Sequence, residues 1–189
     1  MEGALRRFLH DAQKIAILTI GNILRGDDAA GILVGKKIMN KINADVYIAE
    51  TAPESYIVKL IDKQYSHVII IDAAFSTERK PGEIFIVDPE KLSEGLITSH
   101  SIPVTLITEI LRLHGIRSII IGITPKNTEL TEGISKEVKD AVDKLAEILI
   151  KTIPKNNTYQ SLKFLPPLLW GANINQKKDS IMDDEPQNH

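Results

Sequence analysis

Three side chains stand out as able to do chemistry together: the carboxylates of Asp28 and Asp72 and the imidazole of His100. Asp28 closes the run Gly21-Asn22-Ile23-Leu24-Arg25-Gly26-Asp27-Asp28, just after the apolar stretch Ile15–Ile20. Asp72 ends the apolar run Val68-Ile69-Ile70-Ile71, and His100 lies in Thr98-Ser99-His100-Ser101-Ile102-Pro103, where a helix begins. Two oxygen donors and one imidazole at one edge of a sheet make a site for a borderline divalent cation. Singly, each residue has a plainer explanation. An Asp in the first turn of a helix is a cap, an Asp at a strand end caps the next loop, and a His beside Ser and Thr belongs to a turn. Only their convergence on one edge points to a shared site.

Local fields favour the protonation states that bind metal. The partial positive charge at a helix N-terminus stabilises the Asp28 carboxylate and disfavours the imidazolium of His100, by about 0.3–1 kcal/mol each. Asp27 has two readings, a residue that orients the loop or a solvated charge at a helix start. The other histidines, His10, His67, His114 and His189, have no partner pattern and read as surface or element-end residues.

Several chemistries are excluded by what is missing. Gly21 and Gly26 have the spacing of a phosphate-binding loop, but Asp27-Asp28 stand where Lys and Ser or Thr are needed, and two carboxylates repel a triphosphate. No G-x-G-x-x-G follows the first strand, so no dinucleotide site is indicated. There is no H-E-x-x-H helix, no G-x-S-x-G elbow and no cysteine nucleophile.

The elements that must position the three residues can be read from apolar patterning. Ile15–Ile20 lacks polar alternation and reads as a strand buried on both faces, and Arg117–Ile123, nearly all isoleucine, reads as the last strand. Val46–Ala49, His67–Asp72 and Glu83–Val87 complete five strands. Helices are expected over Ala29–Asn40, from Pro53 to about Ile61, and over Ile102–Leu113. In the last helix Ile134, Val138, Ala141, Leu145, Ile148 and Thr152 form one stripe. Strands alternating with helices predict an α/β fold with a mostly parallel sheet covered by helices on both faces. In such sheets ligands bind at the carboxyl ends of the strands. Asp28 and Asp72 fall just beyond such ends, and His100 falls at a helix start on the same edge.

The expected domain spans 1–153, followed by a C-terminal extension over 154–189. Within that extension Phe164-Leu165-Pro166-Pro167-Leu168-Leu169-Trp170 is an apolar knot. It either docks loosely on its own domain or inserts into a groove of a neighbour or client, and it is one route to weak self-association. The chain has 189 residues, 43% hydrophobic and 25% charged, with a net charge of -2. That balance suits a globular protein and gives no electrostatic footprint for nucleic acid. Cysteine is absent, which excludes disulfides and thiolate metal sites made by this chain. Met1–Gln13 has no apolar core for a signal peptide, and no run approaches the roughly 18 apolar residues of a membrane span. A cytoplasmic location is the expectation.

In order and spacing, these segments resemble the maturation endopeptidases of nickel–iron hydrogenases, from about Lys14 to Thr152. The resemblance is carried by Gly21-Asn22-Ile23-Leu24-Arg25-Gly26-Asp27-Asp28, Ala52-Pro53-Glu54 and Ile71-Asp72-Ala73-Ala74. It continues through Lys80-Pro81-Gly82-Glu83-Ile84, Thr98-Ser99-His100-Ser101-Ile102-Pro103 and Gly122-Ile123-Thr124-Pro125. It implies removal of a C-terminal extension from the hydrogenase large-subunit precursor after nickel insertion. The resemblance also implies a three-layer α/β/α sandwich around a twisted, mostly parallel five-stranded sheet. It further implies that nickel arrives with the substrate and is read by Asp28, Asp72 and His100, with Asp28 and Asp72 as the catalytic carboxylates. An Asp at the first position leans toward membrane-bound, energy-converting hydrogenases as clients. Where many relatives place Gly after the Asp pair, this chain has Ala29-Ala30-Gly31, so its helix is expected to start at once. Nickel either polarises the scissile carbonyl or only positions the peptide. Two rival functions remain: a stand-alone metallohydrolase that holds its own metal, and a nickel checkpoint or chaperone that binds the large subunit without cutting it.

Overall fold

The computed structural model describes residues 1–75, 78–87, 89, 97–98 and 101–155, with the backbone alone for 97, 98 and 101–103. The described residues up to 155 lie within one compact unit, Met1–Asn156. Five strands form the main sheet: β1 (Ile15–Ile20), β2 (Asp45–Glu50), β3 (His67–Phe75), β4 (Ile84–Val87) and β6 (Arg117–Ile123). Their order is β2-β1-β3-β6-β4, parallel except for β4, which runs antiparallel to β6. A two-residue strand, β5 (Ile97–Thr98), pairs antiparallel with the end of β3.

Near-continuous isoleucine in β1, β3 and β6 follows from burial on both faces. Ile17, Ile69, Ile71, Ile121 and Ile123 face one core, filled by α1 (Glu2–Phe8), α2 (Ala30–Ile38) and α5 (Lys136–Thr152) through Leu5, Val34, Ile38, Leu145 and Leu149. Leu18, Ile20, Val68, Ile70 and Ile120 face the other core. There they meet Leu60 of α3 (Ile57–Asp62) and Val104, Ile107 and Leu111 of α4 (Ser101–Leu113). The α/β fold with a mostly parallel five-stranded sheet therefore stands as expected. No described helix is long and apolar enough to cross a membrane.

Several element ends differ from expectation by a residue, as at β2, β4 and α4, and a few differ by more. The α2 helix is preceded by a 3₁₀ turn, Gly26–Ala29, and ends at Ile38, because Asn40 takes a left-handed φ of 63°. The third strand runs on to Phe75, so Asp72 lies inside it rather than beyond its end. Pairing of Ala73 with Ile123, and of Ala74 and Phe75 with β5, supplies the partners that prolong it. The seven-residue α1 was not anticipated, since its one buried side chain, Leu5, leaves no periodic signal.

Candidate active site

The chain leaves β1 through Gly21, at φ 145°, and folds straight back over it. The carbonyl of Asp28 would lie 2.0 Å from any Cβ at Gly21, so only glycine fits. Asn22 N–H donates to that carbonyl at 3.3 Å, and Asp28 N–H donates to Arg25 O at 3.0 Å. The compact turn that results holds two adjacent carboxylates in different surroundings.

Asp27 is 1% exposed and saturated with donors. Its Oδ2 accepts from the N–H groups of Lys126 (2.8 Å) and Asn127 (3.0 Å) and from the Ser135 hydroxyl (3.0 Å), while Oδ1 accepts from Ser135 N–H (2.6 Å). It thereby clamps the loop after β6 and the N-cap of α5. Three further bonds stitch the same two loops: Gly26 N–H to Thr131 O at 3.2 Å, Thr131 N–H to Leu24 O at 3.2 Å, and the Arg25 guanidinium to Thr128 O at 3.1 Å. Of the two readings of Asp27, burial selects the orienting residue over the solvated charge. At the rim, the Glu137 carboxylate lies 2.7 Å from Lys126 Nζ and holds that ammonium above its ordinary pKa.

Asp28 is 2% exposed, yet its Oδ1 is buried without a hydrogen-bond partner among the described residues. Leaving a buried polar atom unsatisfied costs about 1–3 kcal/mol, more for a charged group. Such an atom suits a cation or a donor brought from outside.

Asp72 is fully buried on the sheet face that α3 and α4 cover, opposite Gly122 of β6. The Phe85 ring lies across Gly122, walling that side. Gly31 brings the two acids to one edge. A Cβ there would sit 2.3 Å from Ile20 O and 2.6 Å from Ile71 O, so the first turn of α2 rests on the ends of β1 and β3. Asp28 lies three residues before Gly31, in a turn that packs against β3, and Asp72 follows Ile71.

His100 lies outside the described residues. Of the residues flanking it, Thr98 pairs with Ala74, two residues past Asp72, and Ser101 opens α4 on the Asp72 face. No group of three metal-capable His, Asp or Glu side chains occurs among the described residues. Reading the sequence assigns Thr124 no site role of its own; it is 4% exposed, and its hydroxyl is buried without a hydrogen-bond partner among the described residues. Its sequence signals are its place just after β6, before Pro125, and its membership of Gly122-Ile123-Thr124-Pro125, one of the segments that carry the family resemblance. A cleft of 670 Å³ lined by Phe8, Arg112, Arg117 and Ser118 lies at the opposite, amino edge of the sheet, away from these acids.

The family model for hydrogenase maturation proteases of the HycI type matches residues 35–152, well over half the chain. The hydrogenase 3 maturation protease of Escherichia coli K12 is 32% identical over 130 residues, covering 67% of this chain and 83% of that protein. A Methanocaldococcus jannaschii protein, provisionally named a hydrogenase maturation protease, is 33% identical over 156 residues, covering 77% and 91%. Among solved structures, the nickel–iron hydrogenase maturation protease HycI of Thermococcus kodakarensis superposes with a TM-score of 0.71 at 28% identity. That match spans 79% of this chain and 97% of that one. The solution structure of the endopeptidase HycI from Escherichia coli gives a TM-score of 0.66 at 28% identity, over 74% and 90%.

Proposed function

This chain belongs to the hydrogenase maturation protease family and is a protease, and on that premise we propose that it removes the C-terminal extension of a nickel–iron hydrogenase large-subunit precursor after nickel insertion. The observation that carries this reading is the buried Oδ1 of Asp28 at the carboxyl edge of the sheet, which has no hydrogen-bond partner among the described residues. An endopeptidase with a complete resident site would not leave a carboxylate oxygen desolvated and idle. One that waits for a metal carried by its client would.

In this reading nickel is part of the substrate. Asp28, Asp72 and His100 present oxygen and nitrogen donors to it, and this chain needs no cysteine because the client supplies the thiolates. Docking fixes the scissile peptide beside the two carboxylates. A water oxygen adds to the scissile carbonyl carbon, and one of the carboxylates takes the water's proton. The C–N bond then breaks as that proton passes to the leaving amine. Asp27 keeps the turn in place throughout. The work is done in the cytoplasm.

Three variants test the reading on nickel-loaded precursor: Asp28→Asn, Asp72→Asn and His100→Ala. Each is expected to lose cleavage by a factor of at least about 10² while still binding precursor. If each variant instead cleaves at the wild-type rate, the assignment of the trio fails. Binding by wild type without cleavage under any loading would leave a non-cleaving checkpoint as the function.

A further inference from the structure

The hydroxyl of Thr124 is buried and has no hydrogen-bond partner among the described residues, like Oδ1 of Asp28. A threonine at the end of a parallel strand could readily be a valine, since valine fills the same space and carries no hydroxyl to desolvate. The backbone of Thr124 is fully engaged with the segment before β4. Its N–H donates to Glu83 O at 2.9 Å, and its carbonyl accepts from Gly82 N–H at 2.8 Å. The side chain therefore serves no local turn.

Its address is the same edge. Asp72 pairs with Gly122 and Ala73 with Ile123, so Thr124 stands two positions beyond Gly122 and its side chain shares the sheet face of Asp72. Two residues further on, Lys126 and Asn127 are fastened to Asp27, the neighbour of Asp28. Thr124 thus bridges in sequence the strand position beside Asp72 and the clamp beneath Asp28. Pro125 and the Asp27 clamp restrain the backbone that carries it, so the hydroxyl is held at a fixed place.

We propose that Thr124 is a substrate-positioning residue whose hydroxyl hydrogen-bonds the backbone of the precursor segment lying across Asp28 and Asp72. This deepens the maturation reading and rests on it. A hydroxyl can donate to a peptide carbonyl or accept from a peptide N–H, so it suits a main-chain guest whatever the side chains. Its unmet hydrogen bond in the free protein is met when the peptide enters.

The test compares Thr124→Val and Thr124→Ser with wild type, using nickel-loaded large-subunit precursor as the probe. Precursor affinity, KM, kcat and thermal stability are all read. The Val variant is expected to keep or raise Tm while kcat/KM falls about tenfold and precursor binding weakens, and Ser is expected to restore both. A Val variant that binds and cleaves like wild type overturns the proposal. So does a loss of activity that only follows a fall in Tm and is not rescued by Ser. Precursor affinity is measured even if wild type does not cleave, so a failure of the maturation reading shows in the cleavage arm and a failure of the Thr124 role in the binding arm.

Discussion

At the scale of single residues, Asp27 and Asp28 show how one 3₁₀ turn gives two neighbouring carboxylates different work. Successive residues of such a turn point about 120° apart. One carboxylate enters a nest of N–H and hydroxyl donors from Lys126, Asn127 and Ser135, while the other keeps a buried oxygen without a partner among the described residues. Their substitutions should therefore separate stability from activity. Asp27→Ala strands four donors and is expected to lose at least about 3 kcal/mol of unfolding free energy in a denaturant titration. Asp28→Asn is expected to hold stability in the same titration, because the buried oxygen it replaces has no hydrogen-bond partner among the described residues, and yet to abolish cleavage. The residue types of this pair were legible in the sequence, but their division of labour was not. The donors that saturate Asp27 lie about a hundred residues away, and no local pattern announces them.

At the scale of elements, Gly31 is the joint that sets the carboxyl edge of the sheet, where the proposed site lies. It lets the first turn of α2 rest on the carbonyls of Ile20 and Ile71, which fixes the Asp28 turn over the ends of β1 and β3. Gly31→Ala forces a Cβ against two backbone oxygens and must lift α2. The expected loss is about 1–3 kcal/mol in Tm-derived stability, with a larger fall in cleavage than in precursor binding because Asp28 shifts with the turn. The strands themselves could be read from sequence. Ile15–Ile20 and Arg117–Ile123 match the structure end to end, because strands buried on both faces need apolar residues at every position. The end of β3 could not be read so well. Its last three residues are strand because of Ile123 and β5, which are tertiary partners rather than propensities. The stripe expected in α5 was partly displaced: Val142, Ala146 and Leu149 are buried, whereas Ile134 and Ile148 are only half-buried. That helix is wrapped by both α2 and α1, so its buried face is wider than a single seam.

At the scale of the whole molecule, the two edges of the sheet have separate roles. The carboxyl edge carries Asp28, Asp72 and Thr124, and the amino edge carries a buried histidine. His67 opens β3 with its ring packed edge-on against Phe8 at 4.9 Å, its Nδ1 3.1 Å from the Ser66 hydroxyl and its Nε2 3.4 Å from Asp11 Oδ1. Arg117 donates to both oxygens of Asp11, at 2.8 and 3.0 Å, and so offsets that carboxylate. Burial, and after it the Arg117 charge, push the His67 pKa below its ordinary 6.5. The unfolded chain consequently takes up a proton before the folded one does. Stability contributed by the neutral ring is whole above about pH 6.5 and erodes as pH falls through the histidine range. Thermal melts across that range should show Tm falling on acidification, and His67→Gln should flatten the slope; an unchanged slope would remove His67 as its cause. The fold class and the family resemblance were legible from patterning and motif order. This edge was not, because a lone histidine at a strand start carries no signal of its burial. Nickel-dependent cleavage at the opposite edge is measured by mass spectrometry of large-subunit precursor incubated with this protein, with nickel loaded in one sample and withheld from the other. Release of a single C-terminal peptide from the loaded precursor alone is the predicted result, and equal release from both, or none from a loaded precursor shown to be bound, would contradict it.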